Sequence, residues 1–340
     1  MTHVISPLAS PVPVEQAYTA LREGALLVDL SQGSRGVFHG PKAASVLNGL
    51  VTNEVASLAP GEGVYAAALT PKGKVLADVR ILRRDDDLLV DVSAAAAAGW
   101  WAMIRKYVNP RLSRFEDVSS SLGALGLFGP GAAMALGAAA GQGAPELAVH
   151  AHAPLLLAGV TTTVARVSDA GVPGFVLYAP TEAVVVVAQG LVAAGAVPGG
   201  LDALEIARVE AGRPAWGVDM DETTLTQEVR LDELDAVSYS KGCYTGQETV
   251  ARLHFRGHVN RLLRGLLFPG GAPVPRGAAL QRADATAAGE VRSTVRSPRL
   301  GAIGLGLVRR EVEPGTTLTA RWNDGRDEAQ ATVVALPFDE

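Results

Sequence analysis

The chain has 340 residues and a formal net charge of −5, with 48% hydrophobic and only 19% charged residues. This composition predicts a globular protein with a large core and two or three domains. The negative charge gives no overall case for nucleic-acid or membrane-surface binding, and no apolar run is long enough to predict a membrane span. A single cysteine and no visible secretion signal predict a cytoplasmic protein.

Short strands and helices alternate in the first 260 residues. Strands are predicted at residues 25–30, 36–39, 64–69, 75–82, 88–92, 122–128, 161–168 and 174–177. Helices are predicted at residues 41–49, 93–107, 181–194 and 201–211, and a further one begins after Gly131. This order is typical of an α+β protein with antiparallel sheets and not of repeated βαβ units.

The pattern changes after Asn260, where alternating strands are separated by Gly/Pro turns and no helix is indicated. Strands are predicted at residues 261–268, 289–295, 300–308, 316–322 and 330–336. Residues 260–340 are therefore predicted to form a small all-β domain that follows an α+β body of residues 1–259.

Charge is unevenly distributed. Residues 250–310 contain eleven arginines and only Asp284 and Glu290 as acids, which is a local charge of +9 and leaves −14 for the rest. Such asymmetry predicts either strands with solvated arginines on their outer face or an anion-binding face. The anions considered are a polyglutamate tail on folate and an RNA phosphate.

The only cysteine, Cys243, lies in the sequence KGCYTGQE at residues 241–248. It can form neither an internal disulfide nor a four-thiolate metal site. A helix is expected to begin after Gly246, and its N-terminus together with Lys241 favours the reactive thiolate form. The alternative is that Cys243 is a small buried apolar residue, as free cysteines usually are.

Two carboxylates are further candidates. Glu210 comes late in the predicted helix 201–211, in the sequence RVEAG, and a carboxylate can accept two N–H bonds from a flat heterocycle. Asp78 lies on a predicted strand in the sequence GKVLAD, with Ala77 before it. The plain alternatives are a helix-surface glutamate and a strand aspartate that faces solvent.

These three blocks resemble the glycine-cleavage T-protein (aminomethyltransferase) superfamily, and KGCYTGQE resembles its YgfZ-type folate-binding members. The resemblance implies two intertwined α+β subdomains, roughly residues 1–50 with 120–259 and residues 51–119. It also implies that residues 260–340 form a β-barrel and that the parts are arranged as a ring.

The same resemblance implies that Glu210 binds the pterin of tetrahydrofolate or of a derivative. The candidate folate-binding residues are Glu210, Lys241, Gln247, Glu248 and Arg252. The candidates for chemistry are Cys243, Lys241 and Asp78. An i,i+4 ion pair between Glu248 and Arg252, or ordinary capping by Glu248, would explain those two residues without a ligand.

Ala77 departs from the superfamily pattern, in which two adjacent acids stand at this point. The resemblance therefore favours a tetrahydrofolate-binding accessory protein over an active aminomethyltransferase. This accessory protein would support assembly or repair of iron–sulfur proteins, including enzymes that modify tRNA. The alternatives are a folate-dependent aminomethyltransferase or demethylase, and an interaction protein that has lost folate. The paired histidines at 150/152 and 254/258 lack suitable partners, so no metal site is predicted.

Overall fold

The computed structural model describes residues 12–338, which fall into two compact units. The N-terminal unit comprises Met1–Ala68 and Ala77–Leu204, and the C-terminal unit comprises Leu69–Leu76 and Glu205–Glu340. No helix in the described range is long and apolar enough to cross a membrane. The chain is a mixed α+β protein with a closed six-stranded C-terminal barrel, so the predicted fold class is confirmed.

Most of the helices belong to the N-terminal unit. They are α1 (Val14–Glu23), α2 (Ala43–Asn48), α3 (Ala97–Tyr107), α4 (Ala132–Ala140) and α5 (Val184–Ala193). Helix α6 (Leu201–Glu210) begins in the N-terminal unit and ends in the C-terminal unit, which also contains α7 (Gln247–Arg256). The prediction started α3 at Ser93, but the helix begins at Ala97, and the Ser93 hydroxyl accepts a bond from the amide of Ala96 in the preceding turn.

Eleven strands form the two sheets of the first 200 residues. They are β1 (Leu26–Asp29), β2 (Ser34–His39), β3 (Gly63–Leu69), β4 (Val75–Arg83), β5 (Asp87–Val92), β6 (Arg114–Asp117), β7 (Leu122–Phe128), β8 (His152–Leu157), β9 (Val160–Val167), β10 (Gly174–Pro180) and β11 (Val197–Pro198). One sheet has the order β11-β1-β7-β10-β9-β8 and the other β3-β4-β5-β2-β6. The chain thus leaves the first sheet after β1 and returns to it with β7.

The prediction of purely antiparallel sheets is wrong at one pair. Strand β11 runs parallel to β1, with Leu26 opposite Val197. A parallel neighbour requires a crossover connection. The chain reaches β11 from β10 through α5, which provides that crossover.

Helices α4 and α5 cover one face of the six-stranded sheet. Leu136 of α4 and Leu191 of α5 are fully buried against strand residues such as Leu127. Each fully buried leucine contributes roughly 1.5–3 kcal/mol relative to an exposed one. The alanine-rich sequence of α4 therefore builds a packed core layer.

A buried polar network joins the two sheets inside the N-terminal unit. The Tyr178 hydroxyl on β10 donates to Asp91 on β5 at 2.8 Å, and Arg80 on β4 pairs with Asp169 at 2.6 Å. Arg80 also lies 3.6 Å from Asp91. Burial raises the pKa of Tyr178 well above its usual value, so the phenol keeps its proton and donates to the carboxylate.

The C-terminal barrel contains six strands. They are β12 (Arg261–Leu267), β13 (Ala279–Gln281), β14 (Ala287–Ser297), β15 (Gly301–Arg309), β16 (Thr317–Trp322) and β17 (Asp327–Val334), closed in the order β12-β15-β14-β13-β16-β17. The sequence predicted five of them and missed β13. That strand is only three residues long, which is too short to show the alternation of apolar and polar residues that predicts a strand.

Candidate functional site

Glu210 is the last residue of α6 and is buried, with 3% of its surface exposed. One carboxylate oxygen accepts a hydrogen bond from the Ser297 hydroxyl at 2.5 Å, and the Arg299 guanidinium lies 3.9 Å from the other. The alternative of a helix-surface glutamate is therefore wrong. Burying a carboxylate is costly unless partners stabilise its charge, and β14 and the loop after it provide both partners.

Arg208 fixes the end of α6 against the barrel. Its guanidinium donates to Asp219 at 2.7 Å and to the Ser293 hydroxyl of β14 at 2.9 Å, and it also pairs with Glu205 one turn earlier. Ser293 in turn donates to Asp219 at 2.6 Å. Burial raises the pKa of Asp219, although Arg208 opposes this shift. These contacts hold the helix turn that carries Glu210.

The sequence analysis includes Arg208 only as part of the RVEAG motif. It does not predict that Asp219 and Ser293 are the partners of Arg208. Ser293 lies 85 residues beyond Arg208, so no local spacing indicates the contact. Arg208 itself is the sequence feature that could have indicated this contact. A buried arginine needs a carboxylate partner, so an arginine on a packed helix predicts one elsewhere in the chain.

Residues 241–248 form the loop that precedes α7. Lys241 is 9% exposed, and its ammonium lies 5.2 Å from the centre of the Tyr244 ring, a cation–π distance. Tyr244 is 8% exposed, and burial raises its pKa to about 12. Cys243, between these two, is exposed. The alternative of a buried apolar cysteine is therefore wrong.

Two distant sequence blocks meet at this loop. Gly73, in the turn between β3 and β4, and Gly246 both have positive φ, at 77° and 82°. A Cβ on Gly246 would lie 2.6 Å from the carbonyl oxygen of Thr70, and a Cβ on Gly73 would lie 2.7 Å from the Cβ of Thr249. Only glycine fits either position. The turn of the GKVLAD block therefore packs directly on the KGCYTGQE loop.

Three further predicted residues lie in α7. Gln247 is half-buried, while Glu248 and Arg252 are exposed. No ion pair joins Glu248 to Arg252 in the described part of the chain, and α7 has no side-chain cap at its N-terminus. Neither of the two ligand-free explanations for these residues is therefore observed.

Asp78 lies on β4 in the N-terminal unit, and the other predicted site residues all lie in the C-terminal unit. The Tyr65 hydroxyl donates to Asp78 at 2.9 Å. Asp78 is partly buried, which differs from the solvent-facing alternative, and Ala77 beside it is fully buried. The hydrogen bond from Tyr65 orients the Asp78 carboxylate.

Glu210 suits the pterin of a folate because an ionised carboxylate is a hydrogen-bond acceptor. A carboxylate can accept several hydrogen bonds, and Glu210 accepts one from the Ser297 hydroxyl. The amino and ring N–H groups of an aminopyrimidine edge are donors that suit this kind of acceptor. The residues present therefore match the cofactor that the resemblance implied.

Comparisons with known proteins cover nearly the whole chain. Residues 10–238 match the family described as GCVT N-terminal domain, and residues 261–339 match the glycine cleavage T-protein C-terminal barrel domain. The aminomethyltransferase of Thermosynechococcus vestitus is 32% identical over 95% of this chain and 87% of its own length. That of Rubrobacter xylanophilus is 30% identical over 96% and 86%.

The fold comparison agrees. The crystal structure of the glycine cleavage system aminomethyltransferase T from Bartonella henselae has a TM-score of 0.85 and 24% identity, over 98% of this chain and 92% of that one. The resemblance is confirmed for the superfamily but not for the YgfZ type. The relatives' names favour the alternative functional prediction over the iron–sulfur one. The chain belongs to the glycine-cleavage T-protein superfamily.

Proposed function

We propose that this protein binds tetrahydrofolate through Glu210 and uses it in one-carbon chemistry of the T-protein type, either aminomethyl transfer or demethylation. The observation that carries the proposal is the buried Glu210 carboxylate, which Ser297 and Arg299 hold at the end of α6. Aminomethyltransferases that are 30–32% identical to this chain support the reaction class.

The other residues have separate roles in this proposal. Lys241, Gln247, Glu248 and Arg252 are the further candidates for folate contacts. Asp78, oriented by Tyr65, is the acid available for proton transfer. Bound tetrahydrofolate would supply the nitrogen that carries the one-carbon unit.

A second candidate is the accessory role in assembly or repair of iron–sulfur proteins, including enzymes that modify tRNA. Two observations favour it. The buried Ala77 stands where the resemblance implies an acid, and Cys243 exposes a sulfur beside the candidate folate-binding residues. General acid–base catalysis contributes on the order of a hundred-fold or more, so losing one acid weakens the case for a transferase.

Folate binding is tested by thermal unfolding and calorimetry with tetrahydrofolate. Ligand at a hundred times its Kd is expected to stabilise the protein by about 2.7 kcal/mol. Glu210→Gln places an N–H donor opposite the donors of the pterin, so most of the stabilisation should disappear. Glu313→Gln changes an exposed glutamate of the barrel and is the matched control. If millimolar tetrahydrofolate leaves both measurements flat for the unmodified protein, the proposal is wrong.

A further inference from the structure

The C-terminal half of α7 carries an exposed surface that shares only Arg252 with the candidate folate contacts. Phe255 is 66% exposed, and Arg252, His254 and Arg256 around it are exposed as well. Within the described part of the C-terminal unit, Phe255 is the one large hydrophobic side chain that is exposed. Exposing an aromatic ring has a free-energy cost, and here the exposed ring lies on a cationic helix face.

The aromatic rings at this surface are ordered. The His254 ring stacks on the Tyr239 ring with 3.6 Å between centroids and 18° between planes. Phe255 meets His254 edge-on, at 4.7 Å and 88°. Three rings from α7 and the segment before it therefore form one platform, which holds Phe255 in place before any ligand arrives.

Most arginine side chains of the basic segment 250–310 contact oxygen atoms of other residues in the protein. Those that contact a carboxylate or a carbonyl oxygen are Arg261, Arg276, Arg282, Arg292, Arg296, Arg299 and Arg309. The side chains of Arg252, Arg256, Arg264 and Arg310 have no hydrogen bond or ion pair with any described residue, and Arg264 is half-buried whereas the other three are exposed. The backbone amide of Arg310 donates to the carbonyl of Asn260, which places Arg310 beside the segment that follows α7.

Helix electrostatics explain only part of this arrangement. A cation in the last turn interacts favourably with the helix dipole, which accounts for Arg256. Arg252 lies one turn earlier, and like charges at i and i+4 destabilise a helix. Glu248 is the one acid of α7, and it is not paired with Arg252. Neither effect explains why Phe255 is exposed.

The chemistry of the surface favours a polyanion with flat rings over a protein partner. Protein interfaces have an apolar centre that excludes water, and no other large hydrophobic side chain that is exposed in the described C-terminal unit extends Phe255 into such a centre. Aromatic rings flanked by unpaired arginines are typical of single-strand nucleic-acid sites, where bases stack and phosphates pair with the cations.

We propose that Tyr239, Arg252, His254, Phe255, Arg256 and Arg310 bind single-stranded RNA. An unpaired base stacks on Phe255, and the phosphates on either side pair with the arginines. RNA is favoured over DNA because its loops present unstacked bases without prior melting of a duplex. The negative charge of the whole chain does not oppose this, since the arginines act at contact distance and more distant charges are screened. The proposal does not rest on folate binding.

The test is fluorescence anisotropy with a labelled single-stranded RNA of twelve nucleotides and the full-length protein. Phe255→Ala is expected to weaken binding about five- to a hundred-fold, because it removes one stacked base. Arg252→Glu with Arg256→Glu is expected to weaken binding further. Replacing the same two arginines with glutamine should reduce the slope of log K against log salt by about 0.7 for each phosphate that is no longer neutralised. Met134→Ala and Arg326→Glu change an exposed hydrophobic and an exposed arginine elsewhere and are the matched controls.

Two competing probes decide the chemistry. A duplex of the same sequence and a glutamate dodecapeptide are both expected to bind about ten-fold more weakly or worse, since neither offers an unpaired base. The proposal is overturned if no RNA binding is detected at low salt, or if Phe255→Ala leaves the affinity unchanged. It is also overturned if the glutamate peptide binds as tightly as RNA, which would identify a docking surface for an acidic protein. Thermal unfolding of each variant confirms that the fold is retained.

Discussion

At the scale of single residues, burial separates the candidate carboxylates from ordinary surface acids. Glu210 is almost fully buried and has two protein partners, and Asp78 is partly buried and accepts a bond from Tyr65. Ala77, next to Asp78, is fully buried, so an acid placed there would need a partner of its own. An alanine at the position where the resemblance implies a second acid is the residue-level reason to keep two functional proposals.

His152 on β8 predicts a pH dependence of stability. It is 6% exposed, and its Nδ1 is buried without a hydrogen-bond partner among the described residues. Burial and then Arg84 lower the pKa of His152, and Asp85 opposes them. The unfolded chain, with a histidine pKa of about 6.5, therefore binds more protons than the folded state, so the free energy of unfolding decreases as pH falls below about 6.5. The decrease ends below the folded-state pKa.

Urea unfolding at pH 7.5 and pH 5 measures this contribution. His152→Gln cannot take up the proton, so its loss of stability between the two pH values should be smaller than that of the unmodified protein. His258→Gln alters an exposed histidine and is the matched control. Equal losses for the unmodified protein and His152→Gln would contradict the prediction.

The exposure of Cys243 predicts that its thiol is alkylated in the native protein. Because the sulfur is accessible, iodoacetamide should label the native protein at this one position at least as fast as it labels the unfolded chain. Mass spectrometry after timed quenching measures the rate, and Cys243→Ser provides the blank. Labelling that requires denaturant would show that the thiol is protected in solution.

At the scale of elements, the β3–β4 turn and the loop before α7 depend on each other. Gly246→Ala and Gly73→Ala each combine a left-handed backbone with a contact shorter than 3 Å. The backbone alone costs about 1–2 kcal/mol, so each variant should lose more than that in the free energy of unfolding. Gly242→Ala, in the same loop, has open space at its Cβ and a φ that is not positive, and is expected to be nearly neutral.

A double-mutant cycle tests the contact itself. A Cβ on Gly246 would also approach the Cα of Gly73 to 3.1 Å, so the two substitutions share one site of strain. Their combined loss of stability should differ from the sum by at least about 0.5 kcal/mol, as is usual for residues in contact. Strict additivity in denaturant unfolding would show that the turn and the loop are energetically independent.

At the scale of the whole molecule, the two proposed functions predict different losses in a deletion strain. If the protein is an aminomethyltransferase, the strain loses one-carbon supply from glycine and retains the activity of its iron–sulfur enzymes. If it is the accessory protein, the reverse holds, with the loss most visible under oxidative stress. Complementation with Asp78→Asn and with Cys243→Ala then separates the two, because the transferase needs the acid and the accessory role needs the sulfur.

Local sequence signals determined the elements that are long or sharply bounded. The barrel strands have clear alternation between Gly/Pro turns, and Gly212 follows the end of α6, so both were predicted within a few residues. The RVEAG and KGCYTGQE motifs identified the superfamily and the candidate residues. The prediction missed α1, β6, β8, β11 and β13, because short or edge elements depend on their neighbours for hydrogen bonds and burial.

Tertiary structure alone decided how the candidate residues are held. The sequence indicates that Glu210 ends a helix, but its burial depends on Ser297, 87 residues later. The approach of Gly73 to Gly246 and the triad of Arg208, Asp219 and Ser293 likewise join segments far apart in the chain. The exposure of Cys243 and Phe255 is likewise set by the tertiary structure and not by the local sequence. Periodicity and local motifs report interactions within a few residues, whereas burial and long-range pairing follow from the packing of the whole chain.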